Sequence, residues 1–179
     1  MPLLTPETLS ALARSIRVAI FDVDGIMTDG GLTFDSEGRE LKTFHVRDGQ
    51  GLKLLQEAGI VLAIVTGRSS PIVDARAREL GIRHVVQGSA DKLASCQALL
   101  EQLKLDWAQC AYMGDDLPDL PVLRQCSLAL TVPEAPALIR DHAHWVSPMG
   151  GGKGAVRCAA EMLLDARGQW QEATRKWLG

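Results

Sequence analysis

The segment Val18-Ala-Ile-Phe-Asp-Val-Asp-Gly-Ile-Met-Thr-Asp-Gly30 joins four apolar residues directly to an acidic loop that contains glycines. Four apolar residues in a row, without alternation, are typical of a strand that is buried on both faces of a parallel sheet. Similar short runs follow along the chain at residues 60–65, 84–87, 110–113 and 128–132, with a weaker one at 144–146. Their number predicts a parallel sheet of several strands.

Segments with helical periodicity separate these runs, and they lie at residues 49–58, 71–80, 90–104, 117–125, 136–141 and 155–166. A short amphipathic helix is also predicted at residues 5–15, with Thr5 as its N-cap. Strands that alternate with helices at these lengths predict an α/β fold, doubly wound around a mostly parallel sheet. Because the chain has 179 residues, close to the usual size of one domain, we expect residues 1–179 to form a single domain.

One segment departs from this alternation. Residues 32–35 and 40–46 alternate apolar with polar side chains around Ser36-Glu-Gly-Arg39, which predicts a small β-hairpin at about residues 31–46. Near the C-terminus, the glycine-rich segment Gly150-Gly-Gly-Lys-Gly154 precedes the last predicted helix. The sequence leaves open whether the tail from 169 to 179 is helical or frayed.

The composition excludes several classes of protein. A formal net charge of −3 argues against a nucleic-acid partner held by phosphate attraction. The longest aliphatic run spans residues 60–65, whereas a membrane-spanning helix needs about 20 apolar residues, and the N-terminus lacks the pattern of a signal peptide. The four cysteines show no C-x-x-C spacing, which fits reduced thiols. We therefore expect a cytoplasmic protein with neither a nucleic-acid nor a membrane partner.

Polar residues stand at the predicted carboxyl ends of the strands, which is where open α/β sheets bind their ligands. Asp22 and Asp24 follow the first strand, Thr66-Gly-Arg68 the second, and Gly114-Asp-Asp-Leu-Pro-Asp119 the fourth, while Lys92 stands at a helix entry after the third. Taken singly, each could be a helix cap, a turn or a solvated lysine. Four such groups at adjacent strand ends predict one common site.

The order D-x-D-G, T-G-R, K and G-D-D-x-x-D resembles the haloacid dehalogenase superfamily of aspartate-nucleophile phosphatases, from Val18 through Val156. Three longer motifs look like the phosphatases of 3-deoxy-D-manno-octulosonate 8-phosphate within that superfamily: D-V-D-G-I-M-T-D-G from Asp22, F-x-V-R-D-G-x-G from Phe44, and G-G-x-G-A-V-R from Gly151. The resemblance implies a Mg²⁺-dependent enzyme that acts in lipopolysaccharide precursor synthesis.

The resemblance also implies catalytic roles. Asp22 would be the nucleophile that forms an aspartyl-phosphate. Asp24 would be the general acid and base, and the period of two in an extended chain places it on the same side as Asp22. Thr66 and Lys92 would bind the oxygens of the transferring phosphoryl group.

A metal site and its supporting residues are implied in the same way. Mg²⁺ would be held by the Asp22 carboxylate, the main-chain carbonyl of Asp24 and Asp115, all of which are hard oxygen ligands. Asp116 and Asp119 would orient water or Lys92 from behind these ligands.

The substrate-binding residues that the resemblance implies are His45, Val46, Arg47, Asp48, Gly49, Lys53, Arg68, Arg76, Lys92 and Lys153. The hairpin and one helix–strand unit use up the chain between the motifs, so no room is left for a cap domain and the site is open within one chain. The resemblance therefore implies a homotetramer in which hairpins associate and neighbouring chains close each site. We expect the glycines at 150–154 to make a mobile segment that brings Lys153 to a neighbouring site.

Two alternatives remain open at this point. A phosphatase of a nonulosonate 9-phosphate, such as a sialic-acid-type sugar, would use the same catalytic residues. A non-catalytic sugar-phosphate-binding module would share the fold, but the presence of every catalytic residue of the motifs favours an enzyme.

Overall fold

The computed structural model describes residues 5–178, and its strands are β1 (Val18–Phe21), β2 (Thr33–Phe34), β3 (Glu40–Leu41), β4 (Val61–Val65), β5 (His84–Val86), β6 (Cys110–Met113), β7 (Leu128–Thr131) and β8 (Trp145–Val146). Six of them form one sheet in the order β5-β4-β1-β6-β7-β8, in which every neighbouring pair is parallel. The other two, β2 and β3, pair antiparallel as a separate hairpin. This arrangement confirms the predicted doubly wound sheet with a small hairpin.

The helices are α1 (Pro6–Ser15), α2 (Val46–Glu57), α3 (Pro71–Leu80), α4 (Lys92–Leu103), α5 (Leu120–Leu123), α6 (Ala137–Arg140), α7 (Ala155–Ala166) and α8 (Trp170–Thr174). They flank the sheet, where α2 packs against α7 and α1 against α7, while α4 packs against α5. Short 3₁₀ turns occur at Trp107–Gln109, Leu117–Asp119 and Arg175–Trp177. Within the described range, no helix combines the length and apolar character that a membrane crossing requires.

The central strand β1 sets the position of the site. All four of its residues are buried, and its last residue, Phe21, lies opposite Ile64 of β4 and Met113 of β6. Asp22 extends the ladder by one residue, because its N–H donates to the carbonyl of Met113 at 2.9 Å. Parallel strands that end in register bring the residues that follow them to the same edge of the sheet.

The second half of the predicted hairpin is wrong beyond Leu41. Residues 42–45 are not strand, and α2 begins at Val46 rather than at 49. His45 is the N-cap of α2, and its Nδ1 accepts the N–H of Arg47 at 3.3 Å. Asp48 in the first helical turn also favours this start, because an acidic side chain there complements the helix dipole. The alternating pattern masked these signals of a helix N-terminus.

One further element differs from the sequence prediction, and the structure also describes the tail, which the sequence left open. The predicted helix 117–125 is a 3₁₀ turn at Leu117–Asp119 followed by the short helix α5. Pro118 and Pro121 lie in this region, and a proline lacks the N–H that a continuous helix requires. The tail is helical up to Trp177. Expectations that concern residues 1–4 and 179, including those on the N-terminal sequence and the ends of the single domain, lie outside the described residues.

Candidate active site

A cleft of about 420 Å³ lies at the carboxyl ends of β1, β4 and β6. The four residues predicted to be catalytic line it together: Asp22, Asp24, Thr66 and Lys92. Asp115, Asp116 and Asp119, which come from the segment after β6, also line it. Cavities of about 520 and 670 Å³ lie elsewhere, between α2 and α8 and beside α3, but neither contains these residues. The structure therefore brings the four separate sequence motifs to one place.

Lys92 is a buried cation between two carboxylates. It is the first residue of α4, and its Nζ lies 2.9 Å from Oδ2 of Asp22 and 2.6 Å from Oδ1 of Asp119. Burial alone would lower the pKa of Lys92, but the negative charges of Asp22 and Asp119 outweigh burial and raise the pKa above its ordinary value. The ammonium group therefore stays charged at the bottom of the cleft.

Asp119 holds the floor of the cleft together. It is fully buried, and Oδ1 accepts both the Lys92 ammonium and the Tyr112 hydroxyl, the latter at 2.5 Å. Oδ2 accepts the backbone N–H groups of Asp115 and Asp116, at 3.0 and 3.1 Å. One carboxylate thus fixes the loop after β6 relative to α4.

Tyr112 is a contact that the sequence analysis missed. It lies in the apolar run of β6 and is itself fully buried. Burial and then the Asp119 charge raise the pKa of Tyr112 well above its ordinary range, so its hydroxyl remains a hydrogen-bond donor. A tyrosine within an otherwise apolar strand is the one signal in the sequence, because a buried Tyr hydroxyl usually has a partner.

Three carboxylates of the cleft crowd together. Oxygens of Asp22, Asp115 and Asp119 lie within 4.8 Å of one another. Burial, followed by the repulsion between neighbouring carboxylates, raises the pKa of Asp22 to about 6 and that of Asp115 to about 7. Like charges held together in a buried site disfavour ionisation in this way.

The donor set fits a hard divalent cation. Among the described residues, Oδ1 of Asp22 and Oδ1 of Asp115 are buried without a hydrogen-bond partner. Both oxygens of Asp119, in contrast, already accept two hydrogen bonds each. Unpaired carboxylate oxygens are the ligands that Mg²⁺ prefers. The chemistry therefore favours Asp22 and Asp115 as ligands and leaves Asp119 to support them.

The carboxylate of Asp24 has a different environment. Its Oδ1 accepts the Lys42 ammonium at 2.5 Å, and its Oδ2 lies 3.7 Å from Nε of Arg68. Both cations also contact Glu40, at 3.3 Å from Lys42 and 2.7 Å from Arg68. The sequence analysis proposed Arg68 for this site but missed Lys42 and Glu40, which the hairpin brings to it.

Gly25 is required by close packing beside the carboxylates. Its φ of +87° lies in the left-handed region, and a Cβ there would overlap the Asp115 carboxylate. The loop after β1 can therefore approach the loop after β6 only with glycine at this position.

The glycine-rich segment packs against the same loop within one chain. A Cβ on Gly151 would overlap the carbonyl oxygen of Gly25, and the N–H of Gly152 donates to the carbonyl of Ile26 at 3.0 Å. These glycines therefore allow one backbone to lie directly on another, and the mobility expected of this segment stays a prediction. Lys153 is exposed, and its reach to a neighbouring chain stays a prediction.

Of the ten residues predicted to bind substrate, Arg68 and Lys92 line the cleft of the described chain. Two others have structural contacts. Asp48 is buried, its Oδ1 accepts the N–H of Arg157 at 2.8 Å, and burial raises its pKa. Gly49 is buried where a Cβ would overlap the Arg76 guanidinium. The contacts of Asp48 and Gly49 with a substrate stay predictions.

The remaining predicted substrate-binding residues lie outside the lining of this cleft in the described chain. Arg76 extends over the Phe44 ring, 5.7 Å from its centroid, and pairs with Glu79. Apart from Lys153, the others are on or next to α2, where Val46, Arg47 and Lys53 are exposed and His45 is half-buried. Their contacts with a substrate stay predictions.

Comparison with known proteins agrees with these features. The model of the haloacid dehalogenase-like hydrolases matches residues 42–127. The 3-deoxy-D-manno-octulosonate 8-phosphate phosphatase of Yersinia pestis is 43% identical over 162 residues, which cover 90% of this chain and 87% of the relative.

Two solved structures are similar over nearly their whole length. The phosphatase of the same name from Moraxella catarrhalis, in complex with a magnesium ion, a phosphate ion and a KDO molecule, gives a TM-score of 0.93 at 41% identity, and the match covers 94% of this chain and 97% of that one. The cobalt-bound form of the deoxy-D-mannose-octulosonate 8-phosphate phosphatase from Haemophilus influenzae gives 0.89 at 38% identity, with 94% and 99% covered.

Proposed function

Because the chain belongs to the 3-deoxy-D-manno-octulosonate 8-phosphate phosphatases, a family of haloacid dehalogenase-like hydrolases, we propose that this sugar-acid phosphate is its own substrate. The products are the free sugar acid and inorganic phosphate, in the synthesis of lipopolysaccharide precursors. The observation that carries the proposal is the buried cluster in which Lys92 joins Asp22 to Asp119 at the floor of the cleft.

In the first step, an oxygen of Asp22 attacks the phosphorus atom. A P–O bond to Asp22 forms while the bond to the sugar oxygen breaks, and Asp24 gives that oxygen a proton. Lys92 lies 2.9 Å from Oδ2 of Asp22 and fixes the orientation of this carboxylate. The ammonium of Lys92 and the hydroxyl of Thr66 are placed to bind the phosphoryl oxygens.

In the second step, water attacks the phosphorus of the aspartyl-phosphate. Asp24 now takes a proton from the water, and the Asp22 carboxylate leaves as phosphate is formed. The two steps restore both carboxyl groups to their starting protonation. Asp119 keeps the loop after β6 in place, because its Oδ2 accepts the backbone N–H groups of Asp115 and Asp116.

The residues that would hold Mg²⁺ are Asp22, Asp115 and the main-chain carbonyl of Asp24. The unpaired oxygens and raised pKa values of Asp22 and Asp115 support this assignment, as does the magnesium ion in the relative from Moraxella catarrhalis. When bound, the cation supplies positive charge between an anionic phosphoryl group and the carboxylates.

A homotetramer is part of the proposal. The cleft is open in one chain, and large apolar side chains are exposed along the hairpin and at the start of α2: Leu32, Phe34, Leu41 and Val46. An exposed apolar cluster of this kind is typical of a surface that another chain covers. A neighbouring chain would then supply the predicted substrate-binding residues that lie outside the cleft.

A cytoplasmic location is also proposed, and the four free cysteines are consistent with it.

Phosphate release from purified protein tests the substrate. The 8-phosphate of 3-deoxy-D-manno-octulosonate should be hydrolysed with a kcat/KM at least ~10-fold above that of a nonulosonate 9-phosphate, the size of effect that pocket contacts give. The same protein treated with EDTA is the control for metal dependence. A preference for the 9-phosphate would support the sialic-acid-type alternative. A folded, metal-loaded protein that hydrolyses neither would be a binding module.

A further inference from the structure

Lys42 is a buried cation that the proposed reaction does not use. It follows β3 of the hairpin, and its side chain is only 2% exposed. Lysine is almost never buried to this extent unless it is paired, because removing an ammonium group from water is costly. The position of Lys42 therefore needs a reason in the contacts it makes.

Those contacts lead to Asp24. The Lys42 Nζ lies 2.5 Å from Oδ1 of Asp24 and 3.3 Å from Oε1 of Glu40. Arg68, whose side chain is partly exposed, contacts the same two carboxylates. Each of the two cations thus lies between the two carboxylates. Lys42 contacts one oxygen of Asp24 and Arg68 lies near the other.

Lys42 lies behind Asp24 rather than in the cleft. Asp24 and Arg68 are among the residues that line the cleft, whereas Lys42 and Glu40 are absent from its described lining. The contacts of Lys42 within the described chain are with Asp24 and Glu40, so Asp24 is the group through which it would act on the substrate.

We propose that Lys42 is a positioning residue, which holds the Asp24 carboxyl group in the orientation needed for proton transfer to the leaving oxygen. A general acid must lie within hydrogen-bond reach of the atom it protonates, and small displacements of such a group are costly in rate. The inference rests on the proposed role of Asp24. Asp24 gives the proton to the sugar oxygen as the P–O bond breaks, while Lys42 keeps its own protons throughout.

The proposal also gives the hairpin a catalytic consequence. Lys42 and Glu40 belong to the hairpin, in which the apolar side chains of Leu32, Phe34 and Leu41 are exposed. If another chain packs on these apolar side chains, it would fix the position of the hairpin. Because Lys42 belongs to the same hairpin, the Asp24 carboxyl group would then be held more firmly as well.

The test uses substrates that differ in their need for a proton. The Lys42→Met change removes the charge but keeps most of the side chain. Because kcat/KM reports the steps up to formation of the phosphoenzyme, we expect it to fall ~10- to 100-fold for the sugar-acid phosphate, within the range of general acid catalysis. For 2,4-dinitrophenyl phosphate, whose leaving group needs no proton, we expect a change of less than about threefold. Lys42→Arg, which keeps a cation there, should recover part of the loss.

The control variant lies on the same hairpin. Arg39 pairs with Asp35 and Glu37 within the hairpin, so Arg39→Met should leave both substrates unaffected. If Lys42→Met does not fold, as judged by circular dichroism, the smaller polar change Lys42→Gln replaces it with the same expectation. Equal losses on the two substrates, or no loss on either, would overturn the inference.

A double-mutant cycle separates this inference from the proposed function. In an Asp24→Asn background, Lys42→Met should have no further effect on the sugar-acid phosphate, because coupled residues are not additive. Losses that multiply would show that Lys42 acts independently of Asp24. If Asp24→Asn itself affects both substrates equally, the proposed role of Asp24 fails and the inference with it. If Asp24→Asn is selective and Lys42→Met is not, the inference alone fails.

Discussion

The two sides of the cleft differ in how their charges are balanced. We call one side the floor, which is Asp22, Lys92, Asp115 and Asp119 together with Tyr112, which contacts Asp119. The other side, the hairpin wall, is Asp24 and Arg68 together with the hairpin residues Glu40 and Lys42, which contact them. The floor sets three carboxylates against one ammonium group. The hairpin wall sets two carboxylates against two cations. The floor therefore has more carboxylates than cations, whereas the two kinds of group are equal in number on the hairpin wall.

This difference separates two tasks. On the floor, burial and the neighbouring carboxylates raise the pKa of Asp22 to about 6 and that of Asp115 to about 7, so a bound cation would favour their ionised forms. On the hairpin wall, positive groups from the chain itself already surround Asp24. The floor is thus suited to bind a metal ion and a phosphoryl group, and the hairpin wall is suited to hold the group that moves a proton.

The largest expected effect comes from the floor. Asp22→Asn should reduce phosphate release to the background rate at every pH from about 5 to about 9, because an amide cannot form the acyl-phosphate. The fold should persist, since Lys92 keeps Asp119 as its partner, and circular dichroism checks this. Near-normal turnover in the folded variant would eliminate the nucleophile from the mechanism.

Metal binding should depend on pH because protons compete for the same oxygens. The pKa of Asp22 is raised to about 6 and that of Asp115 to about 7. A carboxyl group with a folded-state pKa above its unfolded value destabilises the fold as it ionises. The metal-free protein should therefore lose stability as the pH rises from about 4 to about 7, and Mg²⁺ should offset this loss.

Thermal unfolding with and without Mg²⁺ measures this effect. The increase in Tm caused by saturating Mg²⁺ should be clearly larger at about pH 8 than at about pH 5.5. Asp115→Asn is the matched variant, and it should lose most of the Mg²⁺ effect at both values. An equal increase in Tm at the two pH values would place the metal ion away from these carboxylates.

A methyl group between the glycine-rich segment and the loop after β1 should have a smaller effect. Gly151→Ala places a Cβ against the carbonyl of Gly25, so we expect a loss of ~1–3 kcal/mol in the free energy of unfolding. Gly67→Ala is the control, because the nearest atom to its Cβ would be the Ser89 carbonyl oxygen at 3.6 Å. Urea unfolding of both variants provides the comparison. Equal stability of the two would mean that the glycine-rich segment does not pack on the loop after β1.

The floor could be predicted from the sequence far better than the hairpin wall. Asp22, Lys92 and Asp119 follow apolar runs whose register is set locally, so the common edge of the parallel strands brings them together. Tyr112 escaped notice because an apolar run does not show which side chain needs a partner. The contact between Lys42 and Asp24 could not be predicted, because it depends on how the hairpin packs against the loop after β1.

The start of α2 and the glycine-rich segment show the same limit. His45 and Asp48 are ordinary signals of a helix N-terminus, but an alternating apolar pattern before them suggested a continued strand. Gly151 and Gly152 are explained by the backbone of Gly25 and Ile26, more than a hundred residues away in the chain. Composition alone suggested mobility for a segment whose glycines in fact allow tight packing.

The smallest expected effect comes from a substitution on the exposed apolar surface of the hairpin, which should leave the floor of the cleft unchanged. Phe34 is 54% exposed in one chain, so Phe34→Ser should change the free energy of unfolding of the chain by no more than about 0.5 kcal/mol. If hairpins associate, the variant should form smaller assemblies in multi-angle light scattering. Leu138→Ser is the matched control, because Leu138 is 47% exposed on α6, outside the hairpin.

The activity of the same variant distinguishes the two sides of the cleft. An intact floor should still hydrolyse 2,4-dinitrophenyl phosphate at close to the normal rate. Hydrolysis of the sugar-acid phosphate should fall, because the proposed contacts from a neighbouring chain are lost and Asp24 is held less firmly through Lys42. A dissociated variant that is fully active on the sugar-acid phosphate would show that one chain completes its own site. In that case residues such as Arg47 and Lys53 would have no part in binding the substrate.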